Sequence, residues 1–150
     1  MSNPIDLASI QQKLGVETAF EPRNGAQWLN VAGVGVRTLA ETMNAIGARF
    51  VTITAYQLPK DEGFRLEYHW DTEGTLLGFT FDLIDKKIDS IFDLCPAVDW
   101  IEREIHEGYA IEFVGRPYIP LLLREGVTPG VNLREMPVAP SAEPITEVAK

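Results

Sequence analysis

The chain has 150 residues, 45% of them hydrophobic and 9% aromatic, which is enough for one domain with a core and too few for two. Its net charge of −9, with 13 basic residues against 22 acidic ones, disfavours binding to nucleic acid or directly to an anionic membrane, and no basic patch offsets it. The single cysteine, Cys95, excludes an internal disulfide and is predicted to be a small buried hydrophobe. No apolar run approaches the roughly 20 residues that a membrane-spanning helix needs.

The N-terminal segment is predicted to form a short helix followed by a hairpin. Asn3-Pro4 before Asp6 is typical of a helix start, and Gly15 is typical of a helix end. Two strands are predicted at 16–20 and 26–31, because a cluster of turn residues separates them. The first residues lack the basic and apolar regions of a signal peptide, so we expect a cytoplasmic protein.

A second helix and a strand are predicted next. Thr38 with Glu41 has the spacing of a capping box, and Gly47 is a typical helix stop. From residue 50 to residue 56 the hydrophobic period changes to two, which indicates a strand.

Two strongly alternating strands follow, and their register can be predicted. Every second residue is large and apolar, namely Phe64, Leu66, Tyr68 and Trp70 in one run and Leu77, Phe79, Phe81 and Leu83 in the next. A two-residue loop at Glu73-Gly74 pairs Tyr68 with Phe79, Leu66 with Phe81, Phe64 with Leu83, and Arg65 with Asp82. This register places aromatic residues opposite each other and joins opposite charges.

The stretch 90–113 is predicted to contain a helix that starts at Pro96 and ends at Gly108. At 100° per residue, one face carries Ala97, Val98, Trp100, Ile101, Ile105, Gly108 and Tyr109. The opposite face carries Asp99, Glu102, Arg103 and His106, and Arg103 also lies one helical turn from both Asp99 and Glu107. Glu104 falls inside the apolar arc. Because an unpaired buried charge is too costly, Glu104 is predicted either to find a partner, within this domain or across an interface, or to stay in contact with water.

The remaining residues complete a predicted α+β fold. A turn at 115–117 precedes a short apolar run at 118–123, and four prolines among small and polar residues make 124–150 an extended or disordered arm. The expected architecture is a two-layer α/β domain over residues 1–123. Its elements follow the order α-β-β-α-β-β-β, then the helix of 90–113, then the arm.

A stand-alone catalytic or metal site has weaker support in the sequence. His69, Asp71 and Glu73 alternate along a strand and could point to one metal ion, and His106 lies four residues after Glu102. The ordinary interpretations are a solvated strand face and a mild helical pair. No pattern indicates a nucleophile with its base or a phosphate-binding loop. A small metal-binding protein or enzyme therefore stays as an alternative of another class.

One family signature is present in the same stretch as the predicted helix. It comprises Ser90-Ile91-Phe92-Asp93-Leu94-Cys95-Pro96-Ala97, Asp99-Trp100, Glu102-Arg103-Glu104, Glu107, Tyr109, Ile111, Phe113, Gly115 and Pro117. These residues resemble the signature of the 30 kDa-type subunit of NADH-quinone oxidoreductase, a small peripheral-arm component of respiratory complex I. The family also supplies subunits to complex I-like membrane-bound [NiFe] hydrogenases of the CO-induced and formate hydrogenlyase types. Arg116 stands where the family commonly has histidine, and such departures favour the hydrogenase branch over NADH-quinone oxidoreductase itself.

The resemblance implies a non-catalytic structural subunit without cofactor or metal. Its partners would be the [NiFe]-hydrogenase-like large subunit, which it braces, and a neighbouring iron–sulfur subunit. It would be cytoplasmic and peripheral to the inner membrane, reached only through the complex. The predicted interface and signature residues are Trp100, Glu102, Arg103, Glu104, Glu107, Tyr109, Arg116, Pro117 and Arg134. The apolar arc of the helix is also wider than the roughly 100° stripe that one core contact needs, which favours a second contact with a partner.

Overall fold

The computed structural model describes residues 6–134 and shows a mixed α+β fold, as predicted. The helices are α1 (Leu7–Leu14), α2 (Val36–Ala45) and α3 (Asp99–Tyr109). The strands are β1 (Glu21–Arg23), β2 (Ala26–Asn30), β3 (Arg49–Gln57), β4 (Phe64–Thr72), β5 (Thr75–Leu83), β6 (Lys87–Asp89) and β7 (Glu112–Val114). A five-stranded sheet has the order β1-β2-β5-β4-β3, with only β2 and β5 parallel, and β6 pairs with β7 in a second, parallel sheet.

The core lies between the helices and one face of the larger sheet. Alternate residues of β4 and β5 form its centre, and Leu66, Tyr68, Trp70, Leu77 and Phe79 are fully buried. The helices add Ile10 and Leu14 from α1, Leu39, Ala40 and Met43 from α2, and Ile105 from α3. Strand periodicity and helical periodicity thus converge on one apolar cluster. Within residues 6–134, no helix is both long and apolar enough to cross a bilayer.

The predicted register of the β4–β5 hairpin is confirmed. Tyr68 pairs with Phe79, Leu66 with Phe81, Phe64 with Leu83, and Arg65 with Asp82. Glu73 and Gly74 form the two-residue loop with φ angles of 50° and 86°, both left-handed, as a type I′ turn requires. The Arg65 guanidinium donates two hydrogen bonds to Asp82, at 2.6 and 2.9 Å, so the charged pair supports the same register.

The first hairpin exists, but its first strand was misplaced in the prediction. The predicted strand at 16–20 is absent, and β1 occupies residues that were assigned to the turn. The actual turn is Asn24-Gly25, whose φ angles of 51° and 77° allow a two-residue connection, so β1 immediately precedes it. Pro22 is tolerated because β1 is an edge strand and needs hydrogen bonds on one side only.

The helix ends were predicted better than the helix starts. Gly15 and Gly47 are left-handed, with φ angles of 67° and 72°, just beyond α1 and α2. The capping-box prediction for Thr38 is wrong, because α2 begins at Val36 after Gly35 and Thr38 lies within the helix. The Asp6 carboxylate caps α1 by accepting a hydrogen bond from Ser9 N at 3.2 Å. The proposed start at Asn3-Pro4 lies outside the described residues.

The β6–β7 sheet was not predicted. Each strand has three residues, too few to show alternation, and the two strands are separated along the chain by α3. Their pairing continues through Ser90, whose N–H donates to the Val114 carbonyl at 2.8 Å. The small sheet therefore holds the segment before α3 beside the segment after it.

Close packing of Trp28 over Gly78 yields a test of the sheet geometry. A Cβ atom at Gly78 would lie 2.6 Å from the Trp28 ring, so Gly78→Ala should lower the free energy of unfolding by about 1–3 kcal/mol. Urea denaturation measures this loss. In a Trp28→Leu background the ring is gone, and most of the cost should disappear. An equal loss in both backgrounds would contradict the packing.

Candidate functional site

Helix α3 extends one residue beyond Gly108, where the sequence predicted its end. A 3₁₀ turn at Pro96–Val98 leads into it, and its last residue, Tyr109, is followed by the C-cap Ala110, which is left-handed with φ 56°. Gly108 was expected to end the helix but lies inside it. A Cβ atom there would lie 2.8 Å from the Asn132 side chain, and Asn132 N donates to the Gly108 carbonyl at 2.8 Å. Glycine at position 108 therefore allows the segment around Asn132 to pack closely against the helix.

Glu102 is buried, with 1% of its surface exposed, although the helical wheel placed it on the polar face. Its carboxylate accepts hydrogen bonds from Ser90 Oγ at 2.6 Å, Ile91 N at 3.0 Å and an Arg116 guanidinium nitrogen at 3.1 Å. The small sheet brings these donors over that side of α3, which explains the error. A buried carboxylate is tolerated here because it has both a counter-charge and hydrogen bonds.

Arg116 connects Glu102 to a second carboxylate. Its guanidinium also donates to Asp99 and lies 4.5 Å from the centre of the Phe92 ring. Burial lowers the pKa of Arg116, but its hydrogen bonds to the two carboxylates outweigh burial and raise that pKa above its ordinary value. The same hydrogen bond from Arg116 lowers the pKa of Asp99. Both groups are therefore charged at neutral pH and bind one another.

Glu107 holds the irregular segment that follows β7. Its carboxylate is 2% exposed and accepts hydrogen bonds from the Tyr118 hydroxyl at 2.8 Å and from the backbone N–H groups of Leu121, Leu122 and Leu123 at 2.7, 2.9 and 3.2 Å. Burial raises the pKa of Glu107, but these hydrogen bonds outweigh it and lower the pKa to about 2. The carboxylate thus stands in for the backbone partners that a strand or helix would have supplied to residues 118–123.

Arg103 also holds the segment of residues 118–123, through backbone carbonyls instead of N–H groups. It donates to Asp99 at 3.2 Å, as the helical spacing predicted, and to the carbonyls of Ile119 and Pro120 at 2.8 and 2.7 Å. The predicted second pairing of Arg103, with Glu107, does not form, because the loop already saturates that carboxylate. Residues 118–123 are therefore held to α3 by one cation and one anion.

The chain matches a known family over most of its length. Residues 30–143 match the family described as respiratory-chain NADH dehydrogenase, 30 Kd subunit. The chain belongs to this family.

Two solved structures have the same fold as this chain. One is a chain of the membrane-bound sulfane sulfur reductase (MBS), an archaeal respiratory membrane complex, at 22% identity and a TM-score of 0.66, covering 79% of this chain and 75% of that one. Another is Nqo5, in a trypsin-resistant fragment (1–134), at 18% identity and a TM-score of 0.59, covering 75% of this chain and 96% of that one.

The three residues of the Glu102-Arg103-Glu104 signature differ in their surroundings, since the first two make contacts within the chain and the third faces solvent. Glu102 and Arg103 form the internal contacts described above. Glu104 is exposed and forms no ion pair with any of residues 6–134, so it stays in contact with water, and its placement in the apolar arc is wrong. Trp100, expected on the same arc, is 70% exposed. The centre of the buried face lies nearer Ile105 and Val98, which turns Trp100 and Glu104 outward.

The other predicted signature residues lie around this helix. Tyr109 is half-buried, with its ring 5.9 Å from that of Phe64, and Pro117 is exposed. Arg134 is exposed, and its backbone N–H donates to the Gln57 side chain at 2.9 Å. Residues 124–134, the first part of the predicted arm, form no helix or strand, and Gly130 N donates to the Glu107 carbonyl at 2.7 Å. The rest of that arm lies outside the described residues.

The structure does not bring the candidate metal ligands together. The His69 ring packs edge-on against Trp28 at 5.3 Å, Asp71 pairs with Arg49 at 3.4 Å, and Glu73 lies in the turn. Across residues 6–134, no three His, Cys, Asp or Glu side chains are grouped so that they could hold a metal ion.

Neither the second candidate pair nor the cysteine forms a reactive site. Glu102 is bound to Arg116, while His106 Nδ1 lies 2.8 Å from the Ile111 carbonyl oxygen. Cys95 is half-buried, and burial raises the pKa of its thiol, which disfavours the reactive thiolate. A cleft of about 210 Å³ lies beside α3 and β7. Among the charged residues that line it, Glu102, Arg103 and Arg116 already have partners within the chain.

Removal of Arg116 should expose the cost of the buried Glu102 carboxylate. Arg116→Met leaves this group without a counter-charge and should lower the free energy of unfolding by about 3–5 kcal/mol in urea denaturation. The double variant with Glu102→Gln should recover part of the loss, because no buried charge remains. If the second substitution adds to the loss instead, the two side chains are not coupled as described.

Glu107 should make stability depend on pH in the acid range. Its pKa is 4.5 ordinarily and about 2 in the folded chain, so its ionised form favours folding above pH 4.5. That contribution is lost as the pH falls from 4.5 towards 2. At neutral pH, Glu107→Gln should lower the free energy of unfolding by about 2 kcal/mol, and its difference from wild type should shrink over that acid interval. Glu104→Gln, at an exposed glutamate of the same helix, is the matched control and should change the free energy of unfolding at neutral pH little.

Proposed function

We propose that this chain is a non-catalytic structural subunit in the peripheral arm of a complex I-type membrane complex. It braces the [NiFe]-hydrogenase-like large subunit beside a neighbouring iron–sulfur subunit, and the complex is an energy-converting hydrogenase. Membership of the 30 Kd subunit family supports the kind of assembly. The departures from the family signature, such as Arg116, favour the hydrogenase branch.

The exposed Trp100 carries the proposal. Its side chain is 70% exposed on a helix that is otherwise anchored by internal contacts. Tryptophan has a large apolar surface, and burial of apolar surface contributes about 25 cal/mol of free energy per Å² removed from water. Tryptophan is also enriched among the interface residues that dominate binding energy. Because Glu102, Arg103, Glu107 and Arg116 are occupied within the chain, Trp100 and Glu104 are the helix residues left to contact a partner.

In this proposal the chain reaches the membrane only through its neighbours. The excess of acidic residues disfavours direct contact with anionic lipid headgroups. The large subunit and the iron–sulfur subunit supply the chemistry, and this chain holds their relative position.

Co-purification tests both the partner and the surface. The tagged full-length chain, produced with the other subunits of its complex, should retain a [NiFe]-type large subunit and an iron–sulfur subunit, identified by mass spectrometry. Trp100→Ala should reduce retention about tenfold or more, since such residues commonly contribute over about 1.4 kcal/mol. Ile84→Ala is the matched control, because Ile84 is 89% exposed just past β5. Retention of an NADH-binding subunit would contradict the hydrogenase assignment, and full retention of the large subunit by Trp100→Ala would contradict the proposed surface.

A further inference from the structure

We infer that the exposed face of α3 at Trp100 and Glu104, together with Ile119 and Leu122 of the loop bound to that helix, binds an arginine of the large subunit that is flanked by apolar side chains. The arginine pairs with the Glu104 carboxylate and stacks on the Trp100 ring. This inference rests on the proposed function and specifies the chemistry of the surface that the partner must present.

Glu104 lacks a counter-charge on its own chain. It is exposed and forms no ion pair within residues 6–134. The two arginines nearest to Glu104 in the sequence already have partners. Arg103 binds Asp99 and two carbonyls, and Arg116 binds Asp99 and Glu102. A partner that covered Glu104 without a cation would bury an unpaired charge, which is strongly unfavourable.

Three exposed apolar side chains lie on α3 or on the loop that is bound to it. Trp100 is 70% exposed, Leu122 68% and Ile119 53%. Arg103 donates to the Ile119 carbonyl and Glu107 accepts from the Leu122 N–H, so this loop is bound to the side of α3 that carries Arg103 and Glu107. Those two residues lie three and seven positions after Trp100, which places the loop on the same side of the helix as Trp100. Fixing the loop beforehand reduces the conformational entropy lost on binding.

Arginine fits this face better than lysine. Trp100 and Glu104 are four residues apart and therefore adjacent on the helix surface. A planar guanidinium can stack on an indole ring and still donate two hydrogen bonds to a neighbouring carboxylate, whereas an ammonium group is a point charge. The chain already contains such an arrangement, since Arg116 stacks on Phe92 while it binds Asp99 and Glu102. The net charge of −9 also favours a cationic partner surface.

Charge variants in the co-produced complex test the inference. Retention of the large subunit by the tagged full-length chain is measured over a series of NaCl concentrations. Glu104→Lys should weaken retention by about a hundredfold, because like charges then meet in a desolvated contact. Glu104→Gln should weaken it less and should also flatten its dependence on salt, since one ion pair is lost. Glu17→Lys, a charge change at another exposed glutamate, should behave as wild type.

Two further variants separate arginine stacking from simple charge attraction. Trp100→Phe keeps an aromatic face and should retain more partner than Trp100→Leu, which keeps only apolar area. In the Glu104→Lys chain, one Arg→Glu substitution in the large subunit should restore retention. Thermal unfolding of each variant should match wild type, since both side chains are exposed.

The outcomes distinguish this inference from the function on which it rests. If the wild-type chain retains no large subunit, both fail. If wild type is retained and Glu104→Lys is retained equally at every salt concentration, only the inference fails. If Trp100→Leu equals Trp100→Phe, the stacked arginine is excluded.

Discussion

The hydrogen bonds accepted by the Glu107 carboxylate support the part of the chain that lacks regular secondary structure. A carboxylate with 2% exposure must be given donors, and residues 118–123 supply them from one hydroxyl and three consecutive N–H groups. Those N–H groups would otherwise lack partners in the protein, because no strand or helix includes them. Each group thus removes the other's desolvation cost. The loop of residues 118–123 is therefore held against α3, the helix that carries Trp100.

Glu102 has the same role on the opposite side of α3. Through Ser90, Ile91 and Arg116 it joins the segment before the helix to the turn after β7. The β6–β7 pairing brings those two segments together, and the ion pair then fixes the helix against them. Much of the family signature in this stretch is thereby explained by folding, since these residues contact one another. Trp100 and Glu104 are not explained in this way.

The surface of α3 fits the positioning role proposed for this chain. Contacts within the chain hold the helix, and its exposed tryptophan and carboxylate are available to a neighbouring chain. Membership of the 30 Kd subunit family supports the kind of assembly in which that role is proposed.

The sequence by itself determined the features that depend on local spacing. The β4–β5 register followed from alternation across a two-residue loop, and Gly15 and Gly47 marked helix ends because left-handed φ angles favour glycine. The family resemblance likewise came from residues in one continuous stretch, and it is confirmed. The start of α2 was predicted incorrectly, because a threonine and a glutamate three residues apart have the spacing of a capping box at any position in a helix, not only at its start.

Only the tertiary structure decided which glutamates of α3 are buried. A helical wheel gives the angles between Glu102, Glu104 and Glu107, but it does not reveal which other segments close over each side. The β6–β7 sheet covers Glu102 and the irregular loop covers Glu107, and both arise from contacts between residues distant in sequence. Glu104 is exposed because neither segment reaches it. Burial of a helix residue depends on long-range packing, and for that reason local periodicity placed Glu104 in the apolar arc and Glu102 on the polar face.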